Sequence, residues 1–135
     1  MGKKSHTQGF SLVELTAVIA IISILVAIAL PQYNAYMLKG KLAEAMSLLS
    51  DLQIREEQYY QDNRTYSSTM VPKAAGTYFT NTTCVTANSG QTFTCTAAAP
   101  ALSYTYTISE SGAKATTKPD GSTVNCWLKS SSGSC

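Results

Sequence analysis

Histidine is almost missing from this 135-residue chain, and the one copy is His6. Without an imidazole outside the first nine residues, a serine or cysteine nucleophile lacks its usual base, which excludes the common nucleophilic hydrolases. The chain also lacks a Gly-rich phosphate loop, a Ser/His/Asp set and a pair of carboxylates spaced for acid–base work, so it does not read as an enzyme. No paired C-x-x-C occurs, which leaves zinc without its usual ligand spacing; neither a metal nor a cofactor is expected. Charge is scarce as well, at 13% of residues with a net of +2. Lys3 and Lys4 supply that excess, and the rest of the chain carries eight charges of each sign. A near-neutral body argues against a broad electrostatic grip on nucleic acid. The length leaves room for one small domain plus an appendage.

What the sequence does have is a single long apolar run. Phe10 to Leu30 is 21 residues in which Glu14 is the only charge. As a helix it would be about 31 Å long, close to the hydrocarbon thickness of a bilayer. Lys3 and Lys4 precede it and Lys39 and Lys41 follow, a weak bias toward an inside N-terminus. A secretory signal peptide is one alternative, since Ala27-Ile28-Ala29 matches an A-x-A cleavage site. Against it, the stretch is longer than a usual h-region and contains Glu14, whose burial at membrane depth costs about 2.5–3.5 kcal/mol. A plain single-span anchor leaves Glu14 unexplained too. A carboxylate in apolar surroundings either finds a cation or protonates, and a chain cut between Gly9 and Phe10 would gain an α-amine four residues away.

Lys3-Lys4, then Gly9-Phe10-Ser11-Leu12-Val13-Glu14-Leu15, then an apolar run ending at Leu30-Pro31 resemble the class III leader and start of type IV pilins and related pseudopilins. The resemblance covers roughly residues 3 to 40 and extends more weakly to Tyr66. It implies a prepilin of the type IVa class, small or minor, inserted in the bacterial inner membrane. A prepilin peptidase would cut between Gly9 and Phe10 and methylate the Phe10 amine. The product would then polymerise with other pilin subunits through the assembly machinery into an extracellular pilus serving adhesion, twitching motility or DNA uptake. Glu14 matches the family's assembly carboxylate and Pro31 its helix-kinking proline. The same alignment divides the chain into a leader over 1–9, a membrane and filament-core half-helix over 10–30, an amphipathic half-helix over 31–63 and a head over 64–135.

Beyond Pro31, Leu38, Leu42, Ala45, Leu49, Leu52 and Tyr59 recur at helical spacing, with Lys41, Glu44, Ser47, Asp51 and Arg55 between them. Asp62, Asn63, Arg64 and Thr65 read as the stop, so one helix is expected from about residue 10 to about 62. Tyr59, Tyr60, Asn63, Thr65 and Tyr66 read as aromatic core at the helix end. From Met70 the pattern is β and loop, with candidate strands Tyr78–Thr80, Thr92–Ala97, Tyr104–Ser109, Ala113–Thr117 and Asn125–Lys129. Alternation puts Leu102, Tyr104, Tyr106 and Ile108 on one face, over the helix stripe. Glu110-Ser111-Gly112 and Pro119-Asp120-Gly121 read as hairpin turns. The expected fold is α+β: a long N-terminal helix, apolar then amphipathic, on a small antiparallel meander with a disulfide-bounded C-terminal loop.

The four cysteines, Cys84, Cys95, Cys126 and Cys135, sit in a Thr-, Ser-, Gly- and Asn-rich context that suggests disulfides and an oxidising compartment. They allow three connectivities, and spacing does not choose among them. The sequential pairing, Cys84 with Cys95 and Cys126 with Cys135, is the expectation; the second pair resembles the family's C-terminal disulfide-bounded loop. A type II secretion pseudopilin is the rival machine, though no acidic calcium-loop pattern appears. A DNA-binding competence pilin is the rival function. Lys73, Lys114, Lys118 and Lys129 against Glu110 and Asp120 permit a local basic patch without indicating one.

Overall fold

The computed structural model describes residues 9–135; residues 1–8, with Lys3, Lys4 and His6 and most of the expected leader, lie outside the described residues. The described residues fall into two units, one ending at Tyr36 and one over 37–135, and one helix, α1 (Leu12–Asn63), contributes to both. In the first unit α1 is exposed at every position from Gly9 to Tyr36, apolar residues included. Its two hydroxyls in the apolar run are satisfied within the helix: Thr16 Oγ1 donates to the Val13 carbonyl at 2.9 Å and Ser23 Oγ to that of Ile19 at 2.7 Å. No polar side chain between Glu14 and Leu30 therefore needs water, as a helix surrounded by hydrocarbon requires. Pro31 lies inside α1.

The second unit is α+β. Five antiparallel strands follow in chain order, β1 (Asn81–Ala87), β2 (Thr92–Ala99), β3 (Tyr104–Ser109), β4 (Lys114–Thr117) and β5 (Thr123–Val124), and the sheet order is the same. Each strand pairs with the one before it. Period-two burial puts Phe93, Cys95, Ala97 and Ala99 of β2 and Tyr104, Tyr106 and Ile108 of β3 on the inner face. Register sets small against large: Ala97 is opposite Tyr106, and Ala99 opposite Tyr104, so the aromatic rings have room. From α1 this core takes Leu42, Ala45, Leu48, Leu49, Leu52 and Glu56. Leu38 and Leu102 are partly buried at its edge, and Tyr59, expected on the stripe, is 37% exposed.

Both expected turns form. Gly112 and Gly121 take positive φ, and their amides donate to Ser109 and Lys118 carbonyls at 2.9 Å each. Asp120 Oδ1 accepts from the Ser122 amide and hydroxyl, which holds its carboxyl below the usual carboxylate range, helped by nearby Lys118.

Two expected strands are not strands. Tyr78–Thr80 belongs to the connection between α1 and β1, because the amides of Thr77 and Tyr78 donate to the Glu44 carboxylate and not to a neighbouring strand. The first strand is instead Asn81–Ala87. Asn125–Lys129 also lies outside the sheet, whose last strand is Thr123–Val124. Side chains take up its backbone: Tyr106 Oη donates to the Leu128 carbonyl at 2.6 Å, and Thr116 Oγ1 donates to that of Cys126 at 2.7 Å while accepting the Leu128 amide at 3.2 Å.

The 64–80 connection has no regular structure, yet α1 holds it throughout. Glu44 takes the amides of Thr77 and Tyr78, Asp51 that of Lys73 at 2.9 Å, and Glu56 that of Ser67 at 2.8 Å, while Arg55 donates to the Val71 carbonyl. Polar residues of α1 are thus partners for a loop without backbone pairing of its own. Gly76 is required in it, since a Cβ there would stand 2.3 Å from the Phe79 carbonyl oxygen.

Candidate functional site

Gly9, Phe10 and Glu14 come together at the start of α1. Gly9 and Phe10 are exposed and precede the helix, and Phe10 is 89% exposed, which leaves the Gly9–Phe10 bond open to a protease. Ser11 is the cap. Its hydroxyl accepts the Val13 amide at 3.3 Å, and Glu14 Oε2 accepts the Ser11 amide at 3.0 Å. Glu14 supplies the return half of a capping box, written in the sequence as Ser11-x-x-Glu14, while the Ser11 hydroxyl caps the Val13 amide one position earlier; Glu14 had been weighed only as a charge. The carboxylate is thereby directed toward the chain start, one residue from the Phe10 nitrogen.

At the other end of α1, Arg64 adopts φ 58° and its amide closes on the Tyr60 carbonyl at 2.8 Å, ending the helix. Tyr60 stacks on Tyr66 at 4.6 Å between centroids, and Tyr66 meets Phe93 edge-on at 4.7 Å, so of the tyrosines expected as core at the helix end Tyr66 packs against it, Tyr60 is half-buried and Tyr59 is exposed. Burial, then the neighbouring Glu57 carboxylate, pushes the Tyr66 phenol above its ordinary value.

The structure joins Cys84 to Cys95, directly opposite each other on β1 and β2, and Cys126 to Cys135. Beside the second bridge lies an open cleft of about 240 Å³, lined by Met46, Lys114, Trp127 and Lys129 with the two cysteines. Lys114 Nζ sits 4.3 Å from the centroid of the Trp127 ring, whose Nε1 donates to the Thr107 carbonyl at 2.8 Å. Of the four lysines considered as a basic patch, this cleft gathers two. Lys118 is paired with Asp120 at 3.7 Å, and Lys73 lines a separate depression with Asp51. The Lys114 ammonium over the indole offers a phosphate contact next to a stacking surface, while Lys129 Nζ, in the same cleft, donates to the Cys135 carbonyl at 2.9 Å.

A family model described as "Type IV minor pilin ComP, DNA uptake sequence receptor" matches residues 31–126, and a prokaryotic N-terminal methylation motif matches residues 4–30. The chain belongs to this type IV minor pilin family. The two matches divide at Pro31, where the apolar half of α1 gives way to the half that carries the head. Among curated relatives, the pilin is 48% identical over 59 residues to a type IV major fimbrial protein FimA of Dichelobacter nodosus, covering 44% of this chain and 37% of the relative. It is 44% identical over 61 residues to FimA of Dichelobacter nodosus strain VCS1703A, covering 45% and 38%. The match thus spans well under half the length of these relatives. No solved structure matches the pilin.

Proposed function

We propose that the chain is a structural subunit of a type IV pilus, made as an inner-membrane precursor, cut between Gly9 and Phe10, methylated at Phe10 and polymerised through α1. The observation that carries this is the exposed, internally satisfied apolar helix opening on a capped Glu14. Such a surface requires lipid or other apolar helices around it. A prepilin peptidase, other pilin subunits and the assembly machinery are the partners this reading entails. Mass spectrometry of protein recovered from membranes and from sheared fibres tests it: the mature chain should begin at methylated Phe10. A chain beginning at Leu30 would identify a cleaved signal peptide and remove the proposal.

A second reading, that the head also takes up DNA, is favoured by the description of the matching family together with the Lys114–Trp127–Lys129 cleft. Filter binding of duplex DNA to the full chain in detergent, across a salt series, checks it. If the two lysines meet phosphates, affinity falls with salt, and Lys114→Gln and Lys129→Gln each reduce the slope by about one unit. Binding that is absent, or unaltered in slope by both substitutions, leaves the structural role alone.

A further inference from the structure

Glu56 is the one charged residue in the leucine stripe of α1, and it is fully buried. One oxygen, Oε2, accepts the Ser67 amide at 2.8 Å; the other, Oε1, has no hydrogen-bond partner. Buried polar atoms are seldom left in that state, and such an orphan calls for a reason. Neither ion pair among the described residues includes Glu56, so no cation explains its burial. What it does meet is sulfur. A Glu56 carboxylate oxygen and the sulfurs of Cys84 and Cys95 lie within 4.8 Å of one another.

We propose that Glu56 is the proton acceptor and donor for thiol–disulfide exchange at the Cys84–Cys95 pair, so that this bridge can be closed and reopened by an external disulfide or dithiol. The need is chemical. A thiol in apolar surroundings ionises with difficulty, and only the thiolate attacks a disulfide. The groups facing Glu56 are the two cysteines from β1 and β2, the Ser67 amide from the connection and, on its own helix, Glu57. Desolvation, opposed by the Ser67 hydrogen bond and assisted by Glu57, raises the proton affinity of the carboxylate and brings it nearer that of a thiol.

The two sulfurs are not equivalent. Cys84 lies on β1, the edge of the sheet, and is 3% exposed, whereas Cys95 lies on the interior strand β2 and is wholly buried. Local opening of the edge strand uncovers Cys84 first. Its thiolate attacks an external disulfide R–S–S–R; that S–S bond breaks, one RS⁻ leaves, and a Cys84–S–S–R mixed disulfide forms. Cys95 then gives its thiol proton to Glu56 and attacks Cys84 Sγ. The Cys84–SR bond breaks and its electron pair departs with the second RS⁻. In sum the two cysteines lose two electrons and two protons, and the external disulfide becomes two RSH, one of which recovers the proton held by Glu56. Reduction runs the same steps backward, with Glu56 protonating the departing Cys95 sulfur.

This inference concerns the head alone and stands independently of polymerisation or DNA binding. The test uses the full chain in detergent micelles, reduced and then mixed with oxidised glutathione, with alkylation at timed intervals and mass spectrometry of each cysteine pair. In the parent, resolution of the Cys84 mixed disulfide should show a carboxyl step below the thiol range of pH. Glu56→Gln should slow that resolution on the order of a hundredfold near neutrality. The two proteins should converge at alkaline pH, where Cys95 ionises unaided, and closure of Cys126–Cys135 in the same molecules should be unchanged. Equal resolution rates, or equal slowing at both bridges, would overturn the proposal. So would a parent profile with only the thiol step, which decides the matter even if the variant folds poorly.

Discussion

Chains carrying Glu14→Leu are expected to enter the membrane as well as the parent and to be recovered in fibres about thirtyfold less often, or worse. Insertion loses nothing, because a carboxylate at membrane depth costs about 2.5–3.5 kcal/mol that leucine avoids. Assembly loses a charge partner: stranding the Phe10 amine of one subunit in an apolar bundle costs about 2–5 kcal/mol, and 2 kcal/mol is already a factor of about thirty. The capping role of Glu14 complicates a single substitution, since leucine also leaves the Ser11 amide unaccepted, at about 0.5–2 kcal/mol of helix stability. Glu14→Gln separates the two effects. Glutamine keeps the capping acceptor and removes the charge, so under the proposed mechanism it should assemble almost as poorly as leucine. The measurement is the ratio of pilin in sheared fibres to pilin in membranes. A glutamine variant with the parental ratio would assign Glu14 to capping and end the charge-pairing account.

In the head, Tyr106→Ala should lower the unfolding free energy by about 3–5 kcal/mol, a large share of the 5–15 kcal/mol typical of a domain. Tyr106 is fully buried, packs edge-on against Phe79 at 5.6 Å and spends its hydroxyl on the Leu128 carbonyl. Burial, with nearby Tyr104, pushes that phenol far above its usual range, so it remains a donor at any working pH. For a unit of this size the loss corresponds to a fall in Tm of about 15–30 °C by circular dichroism. Tyr106→Phe should keep the ring packing and cost about 1–3 kcal/mol, the penalty for an unpaired buried carbonyl. If the phenylalanine variant melts with the parent, the 125–129 segment is not held as described.

How far the sequence could be read depended on which groups satisfy the backbone. Where the apolar period is strong, pattern sufficed: the helix was placed within a residue or two of Leu12–Asn63, and β3 was found at its observed bounds. Where side chains take over, pattern misled. Asn125–Lys129 has an apolar, aromatic centre like a short strand, but its hydrogen bonds go to Tyr106 and Thr116. Asn81–Ala87 was not among the candidate strands because it carries no apolar alternation, and only pairing with β2 makes it a strand. Glu56 falls one turn beyond Leu52 on the stripe, but a carboxylate carries no apolar signal, and the stripe was read on to Tyr59 without it. Likewise the lysines were countable, but that Lys114 and Lys129 share a cleft while Lys118 turns to Asp120 depends on the fold.

The nearest-neighbour strand order has a kinetic meaning. A chain delivered N-terminus first presents the α1 stripe before any strand, and each later strand finds its partner already in place. Loops closed in this sequence are short, which favours rapid assembly. Cys84 meets Cys95 across the first hairpin while Cys126 and Cys135 are still to come. The order of arrival itself therefore selects one of the three possible pairings, ahead of any proofreading by an isomerase.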